Sequence, residues 1–156
     1  MEITIQKERP DSPEAVKLID ELENVLGALY NAENRFGYSV QKLIDQGVHF
    51  YVARADRHPA GCGGVQIFPD ASPPYAELKR MYTHPDFRGM GIAKKMLEQL
   101  KQIALDHDVT VLRLETGIYQ HEAIGLYKQW GFEERGPFGD YTGLEVNLYF
   151  EKTLSP

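Results

Sequence analysis

The stretch from Lys79 to Lys95 (Lys-Arg-Met-Tyr-Thr-His-Pro-Asp-Phe-Arg-Gly-Met-Gly-Ile-Ala-Lys-Lys) constrains the fold more than any other part of the chain. Leu78, Met81 and Tyr82 suit a pleated surface, and Pro85, which has no amide hydrogen, stops the ladder. Beyond Gly91, residues Ile92, Ala93, Met96, Leu97, Leu100, Ile103 and Ala104 recur at three- and four-residue spacing, which predicts a helix with one apolar face. Lys94, Lys95, Glu98, Lys101 and Gln102 fall on its other side. A strand therefore runs through a short loop, Arg88-Gly89-Met90-Gly91, into a helix. Glycines let a backbone approach a ligand with no Cβ in the way. The amides of a helix's first turn lack intrahelical acceptors and sit at the positive end of its dipole. Such a place binds phosphate.

Three phosphate-loop patterns compete for this stretch. A Walker loop needs Gly-x-x-x-x-Gly-Lys-Ser/Thr, which the chain lacks. A dinucleotide fingerprint needs a third glycine where Lys94 stands. The third pattern, Arg/Gln-x-x-Gly-x-Gly/Ala, is met by Arg88, Gly91 and Ala93. In this the chain resembles the GNAT acyl-CoA transferases, from about Tyr75 to Phe132 and more loosely outside. The resemblance implies an α/β (α+β) fold: one mixed, mostly antiparallel sheet of six to seven strands with about four helices on both faces. It also implies acetyl-CoA as co-substrate. The pyrophosphate would rest on the amides of Gly89, Met90, Gly91, Ile92, Ala93 and Lys94, with Arg88 beside it. The pantetheine arm would bond to the backbone of Met81, Tyr82 and Thr83, and Gln120 would also contact the cofactor.

Two further motifs agree. Leu126-Tyr127-Lys128-Gln129-Trp130-Gly131-Phe132 matches the Leu-Tyr-x-x-x-Gly-Phe ending of that family. The resemblance puts the Tyr127 hydroxyl near the CoA sulfur, where it could protonate the departing thiolate; packing on the sheet is the plainer alternative. Tyr75-Ala76-Glu77-Leu78-Lys79-Arg80-Met81 carries a carboxylate four residues before Met81, the spacing of a water-mediated general base in histone-type members. An amine of pKa about 10 is almost wholly protonated at pH 7, so a base is a chemical need. Glu77 is the first candidate and Glu115 the reserve; a strand-end ion pair with a lysine is the alternative for Glu77. The Met81 amide would face the thioester carbonyl. Leu114-Glu115-Thr116-Gly117 and Pro137-Phe138-Gly139-Asp140-Tyr141 resemble a bacterial branch of small GNAT proteins, in which Asp140 and Tyr141 would face the acceptor.

The net charge of −6 argues against nucleic acid, whose binding needs phosphate-neutralising cations. Yet between Lys79 and Lys101 the basic residues 79, 80, 88, 94, 95 and 101 outnumber the acidic 86 and 98; a solvated helix face accounts for Lys101, whereas Arg88, Lys94 and Lys95 surround the glycine loop, a local patch that suits an anionic ligand such as CoA. A chain of 156 residues predicts one domain, 1–156. No run reaches the roughly 18 apolar residues of a membrane helix, and the N-terminus has no secretory pattern. The lone Cys62 allows no internal disulfide, which suits a reducing cytoplasm. Cys62 reads as a small packed residue. The scattered histidines form no metal-binding spacing.

In chain order the pattern predicts a strand over Glu2–Lys7 and a helix capped by Ser12 with Pro13 first, running to about Tyr30. A loop over Asn31–Tyr38 and a short helix from Ser39 to Ile44 follow; by resemblance this two-helix segment walls the acceptor pocket. Strands follow over Val48–Ala53, Ala60–Phe68 and Tyr75–Thr83, with a turn over Arg54–Pro59. After the long helix come a strand over Val109–Thr116, a helix over Gln120–Trp130, and strands over Phe132–Gly136 and Leu144–Lys152. The function expected is direct acetyl transfer from acetyl-CoA to a primary amine of a small molecule or peptide. A non-catalytic acyl-CoA-binding module is the other class. A homodimer stays open.

Overall fold

The computed structural model describes residues 1–155. The strands are β1 (Ile3–Lys7), β2 (His49–Ala55), β3 (His58–Phe68), β4 (Tyr75–Thr83), β5 (Val111–Gly117), β6 (Glu133–Arg135) and β7 (Asn147–Thr153). The helices are α1 (Pro13–Leu29), α2 (Val40–Asp45), α3 (Ile92–Asp106) and α4 (His121–Gln129), with single 3-10 turns at Ala32–Asn34 and Pro85–Phe87. All strands join one sheet in the order β1-β2-β3-β4-β5-β7-β6. Only β4 and β5 pair in parallel. The mixed, mostly antiparallel sheet expected from the sequence is the one found.

Helices cover both faces. The apolar stripe of α3 (Ile92, Met96, Leu97, Leu100, Ala104) packs with Ala76, Leu78, Leu112, Leu114 and Phe150 of the sheet, and Tyr127 of α4 joins them. On the opposite face Ala15, Leu18 and Ile19 of α1 and Leu43 of α2 cover Phe50, Val52 and Cys62. Burying each large aliphatic side chain is worth about 1.5–3 kcal/mol, so the two stripes fix how the helices sit. Ser12 Oγ accepts from Ala15 N at 3.2 Å and Pro13 opens α1; Ser39 Oγ accepts from Lys42 N at 3.1 Å and opens α2.

Three boundaries differ from the sequence reading. The β2–β3 turn is tighter than Arg54–Pro59: only Asp56 and Arg57 lie between the strands, both with positive φ (46° and 75°). That is the backbone of a two-residue hairpin turn, built here without the glycine or asparagine that would mark it. β5 starts at Val111 rather than Val109, because Val109 N bonds to Ala104 O at 3.0 Å and helps close the end of α3. β7 starts at Asn147 rather than Leu144, because Asn147 N turns back to Leu144 O at 3.0 Å.

Two irregularities at the centre of the sheet prepare the site. β4 carries a bulge: Lys79 pairs with Gly64 and Tyr82 with Cys62, so Arg80 and Met81 together oppose Gly63. Arg80 adopts φ 55°, costly for a side chain with a Cβ. A bulge re-aims the residues after it and ends regular pairing. On its other edge β4 meets β5 only at Ala76–Leu112 and Glu77–Arg113. Beyond those pairs the two strands part.

Candidate active site

The parting of β4 and β5 opens two hollows that meet at Leu22, Met81, Gln120 and Tyr127. The larger is a cleft of about 610 Å³ between the end of β4, the loop before α3, and α4. The smaller is a chamber of about 90 Å³ between β4, β5 and the Asn34–Tyr38 loop.

Met81, Tyr82, Thr83, Arg88, Gly89, Gly91, Ile92, Ala93, Lys94, Gln120 and Tyr127 all line the cleft. Gly89 and Gly91 have φ of 80° and 77°, and a Cβ at either would point into open space. Gly91 is the residue before the first turn of α3 and offers no side chain to cap it, so the turn's amide hydrogens remain available. These features fit a pyrophosphate: bare backbone, the positive end of a helix, and Lys94 and Arg88 at the rim. The Met90 side chain packs against the core, which leaves only its backbone for the expected role. The basic patch also divides differently from the sequence count. Arg88 and Lys94 serve the cleft, whereas Lys79 and Arg80 are buried in the chamber wall on the far side of the bulge. Arg88 Nη1 reaches Glu122 Oε2 of α4 at 3.2 Å, an exposed pair that spans the mouth of the cleft.

Glu77, 3% exposed, projects into the chamber with two partners. Lys79 Nζ lies 2.9 Å from its Oε2, and the Tyr141 hydroxyl donates to the same oxygen. Lys79 Nζ also sits 3.9 Å above the Tyr38 ring. Burial, then the charge of Glu77, pushes the Tyr141 phenol far up, so it remains a donor. Glu115, on the neighbouring strand, is half-buried in the same chamber and has no ion-pair or hydrogen-bond partner among the described residues. Burial, reinforced by the charge of Glu77 and opposed by Lys79, lifts its carboxyl from 4.5 to about 7. Tyr127 is buried against Phe132, and burial with the nearby Glu115 charge holds its phenol in the protonated form. Cys62 is buried and its thiol is pushed up to about 12 by burial, so it stays a neutral packing residue.

The chain thus brings Glu77, Glu115, Tyr127, Met81 and Tyr141 to the lining of one chamber. Asp140 is not among them: Tyr141 N bonds to Phe138 O at 3.1 Å in a turn, which leaves Asp140 exposed while Tyr141 lines the chamber. Sequence reasoning missed Tyr38, Asn147 and Arg35, and it counted Arg80 with the basic residues of the loop stretch rather than with the chamber wall. The one available sign was a run of two cations, Lys79-Arg80, beside Glu77 in a strand buried over most of its length. Gln120 is placed by its own contacts, its Oε1 accepting from Gly117 N at 2.9 Å.

Comparison with known proteins agrees with this geometry. Residues 14–132 match the model of the Acetyltransferase (GNAT) family. The chain is 40% identical over 152 residues to the IAA acetyltransferase of Azospirillum brasilense, covering 97% of this chain and 98% of that one. A crystal structure of a candidate acyl-CoA N-acyltransferase from Klebsiella pneumoniae superposes with a TM-score of 0.81 at 30% identity, covering 98% of each chain. The PaiA N-acetyltransferase of Thermoplasma acidophilum, determined in complex with coenzyme A, shares the fold with a TM-score of 0.75 at 22% identity, over 98% of this chain and 99% of that one. The chain described here belongs to the GNAT family and is an acetyl-CoA-dependent N-acetyltransferase.

Proposed function

We propose that the chamber holds a primary amine of a small molecule or peptide, and that the cleft holds acetyl-CoA with its thioester at the Met81–Tyr127 junction. The observation that carries this reading is that Met81 and Tyr127 line both hollows, so a ligand in either reaches the other there. The amides of Gly89 to Lys94 and the Arg88 side chain hold the pyrophosphate, and the backbone of Met81, Tyr82 and Thr83 aligns the arm.

Two chamber carboxylates divide the work. Glu77 is engaged by Lys79 and Tyr141, whereas Glu115 is free and titrates near neutrality. Glu115 therefore takes the proton from the ammonium, directly or through one water. Glu77 acts as a positioning residue whose charge keeps Glu115 basic. The Met81 amide donates to the carbonyl oxygen as negative charge builds there, an interaction worth on the order of 3 kcal/mol. The nitrogen–carbon bond forms, the carbon–sulfur bond breaks, the Tyr127 hydroxyl gives its proton to the departing thiolate, and the second proton shed by the acylated nitrogen restores the Tyr127 hydroxyl.

CoA release measured against a panel of amines tests the reading. Release with at least one amine is expected, with Glu115→Gln reducing turnover more than Glu77→Gln. Saturable acetyl-CoA binding without release for any amine would oppose it. The name of the Azospirillum brasilense relative makes IAA one compound for the panel.

A further inference from the structure

Two arginines in the chamber wall share one carboxylate. Arg80 Nη2 pairs with Glu23 Oε1, and Arg35 Nη1 lies 3.3 Å from Glu23 Oε2. Within this triad two cations face one anion; the unpaired Glu115 carboxylate of the same chamber stands outside it. The Arg80 side chain is only 3% exposed. Both Nε–H groups and Asn147 Nδ2 are buried and have no acceptor among the described residues. All three residues line the chamber. A buried donor left without an acceptor is costly, so the Nε–H groups of Arg35 and Arg80 and the Asn147 amide are groups that a bound anion would satisfy, while the partly exposed Arg35 and Glu23 side chains leave the cluster open on one side. The remaining cation of the chamber, Lys79, is already engaged by Glu77. Glu115 carries no partner of its own. The chamber therefore presents guanidinium donors and a carboxylate that the chain itself does not pair.

We infer that the acceptor is an amine that also bears a carboxylate, an amino acid, with its carboxylate received by Arg35 and Arg80 and its amine turned toward Glu115. This rests on the reading of the chamber as the acceptor site. A carboxylate carries one negative charge, which matches the one excess positive charge of the triad; a phosphate dianion would leave one unpaired. The guanidinium fork is the side chain best shaped for a carboxylate. A chamber of about 90 Å³ suits a small head group, with any side chain extending toward the Tyr30, Phe36 and Tyr38 rings.

The test uses the full-length enzyme with acetyl-CoA and matched acceptors at one pH: phenylalanine against phenylalaninamide, and methionine against methioninamide. The amide's amine is less basic, so more of it is free and chemistry alone favours the amide. The expected result is the opposite order, with kcat/KM for the acid about tenfold or more above that of the amide. Arg35→Gln is preferred to any Arg80 variant, since Arg80 is fully packed and its loss could unfold the chain. It should raise KM for the acid about 10- to 100-fold and erase the preference, with a smaller change in the kinetics of the amide. Arg35→Lys should restore part of the preference. Equal use of acid and amide, or a preference that survives Arg35→Gln, overturns the inference. Turnover of amides alone overturns it while the amine-acceptor reading stands. No release with any amine, despite acetyl-CoA binding, removes the acceptor reading and this inference together.

Discussion

A Cβ added to Gly37 would overlap Arg80 Nη1, so the guanidinium of a strand residue occupies the side-chain space of a loop glycine. This contact holds the Asn31–Tyr38 segment over the chamber, and Glu23 fixes the guanidinium from the other side. Gly37→Ala must displace Arg80 from its buried position. We expect a stability loss of about 1–3 kcal/mol, the usual cost of overpacking. Acceptor kcat/KM should fall while acetyl-CoA affinity is retained, because the cleft lies beyond the bulge. Thermal unfolding and a CoA-release assay check both parts; a variant with wild-type acceptor kinetics would separate this loop from the site.

The acidity of Glu115 makes activity and stability respond oppositely to pH. As a base, its carboxyl should give a rise in kcat/KM to a plateau above about 7. The amine's own ionisation, near pH 10, forms a separate limb. For stability the sign is reversed. Between 4.5 and about 7 the unfolded chain has released this proton and the folded chain keeps it, so stability falls as pH rises through that window. The loss is on the order of 2 kcal/mol after allowing for the residue's partial contact with water. Glu115→Gln should abolish the lower limb, reduce turnover by about a hundredfold or more, and leave the protein more stable than wild type at pH 8. Paired pH profiles of rate and melting temperature test this; an unchanged rate profile would disqualify Glu115 as the base.

Tyr127 combines burial with a position at the junction of cleft and chamber. Tyr127→Phe preserves the ring contact with Phe132 and removes only the proton donor. Turnover should drop about 10²-fold, with little change in the affinity for acetyl-CoA. Single-turnover kinetics beside calorimetric binding make the distinction, and unaltered turnover would reduce Tyr127 to a packing residue.

Gly91 tests the anion-binding loop. Its φ of 77° makes any side chain strained by about 1–2 kcal/mol, but the space ahead of its Cβ is open. Gly91→Ala should therefore fold, slightly destabilised. Gly91→Glu should also fold and should lose acetyl-CoA affinity, because a carboxylate would stand where the pyrophosphate is held. Circular dichroism and equilibrium binding report on the two halves. A folded Gly91→Glu protein that binds acetyl-CoA normally would remove this loop from the site.

Local chemistry by itself determined the elements whose causes are local. The Arg88–Ala93 pattern, the three- and four-residue spacing from Ile92 to Ala104, and the Ser12-Pro13 start were readable because capping, glycine freedom and helical periodicity act over a few residues. The same holds for Tyr127 and the two carboxylates as candidates. Only the tertiary structure decided which of these meet and in what state. The hairpin at Asp56–Arg57 and the left-handed Arg80 are imposed by strand pairing and leave no compositional trace. Glu77 and Glu115 are both strand carboxylates in the sequence. They differ only because Lys79 and Tyr141 reach Glu77, while Glu115 faces a chamber with no partner. The pairing of Arg35, Arg80 and Glu23 joins a loop, a strand and a helix. A buried charge is defined by its whole surroundings, and those are assembled only when distant segments pack together.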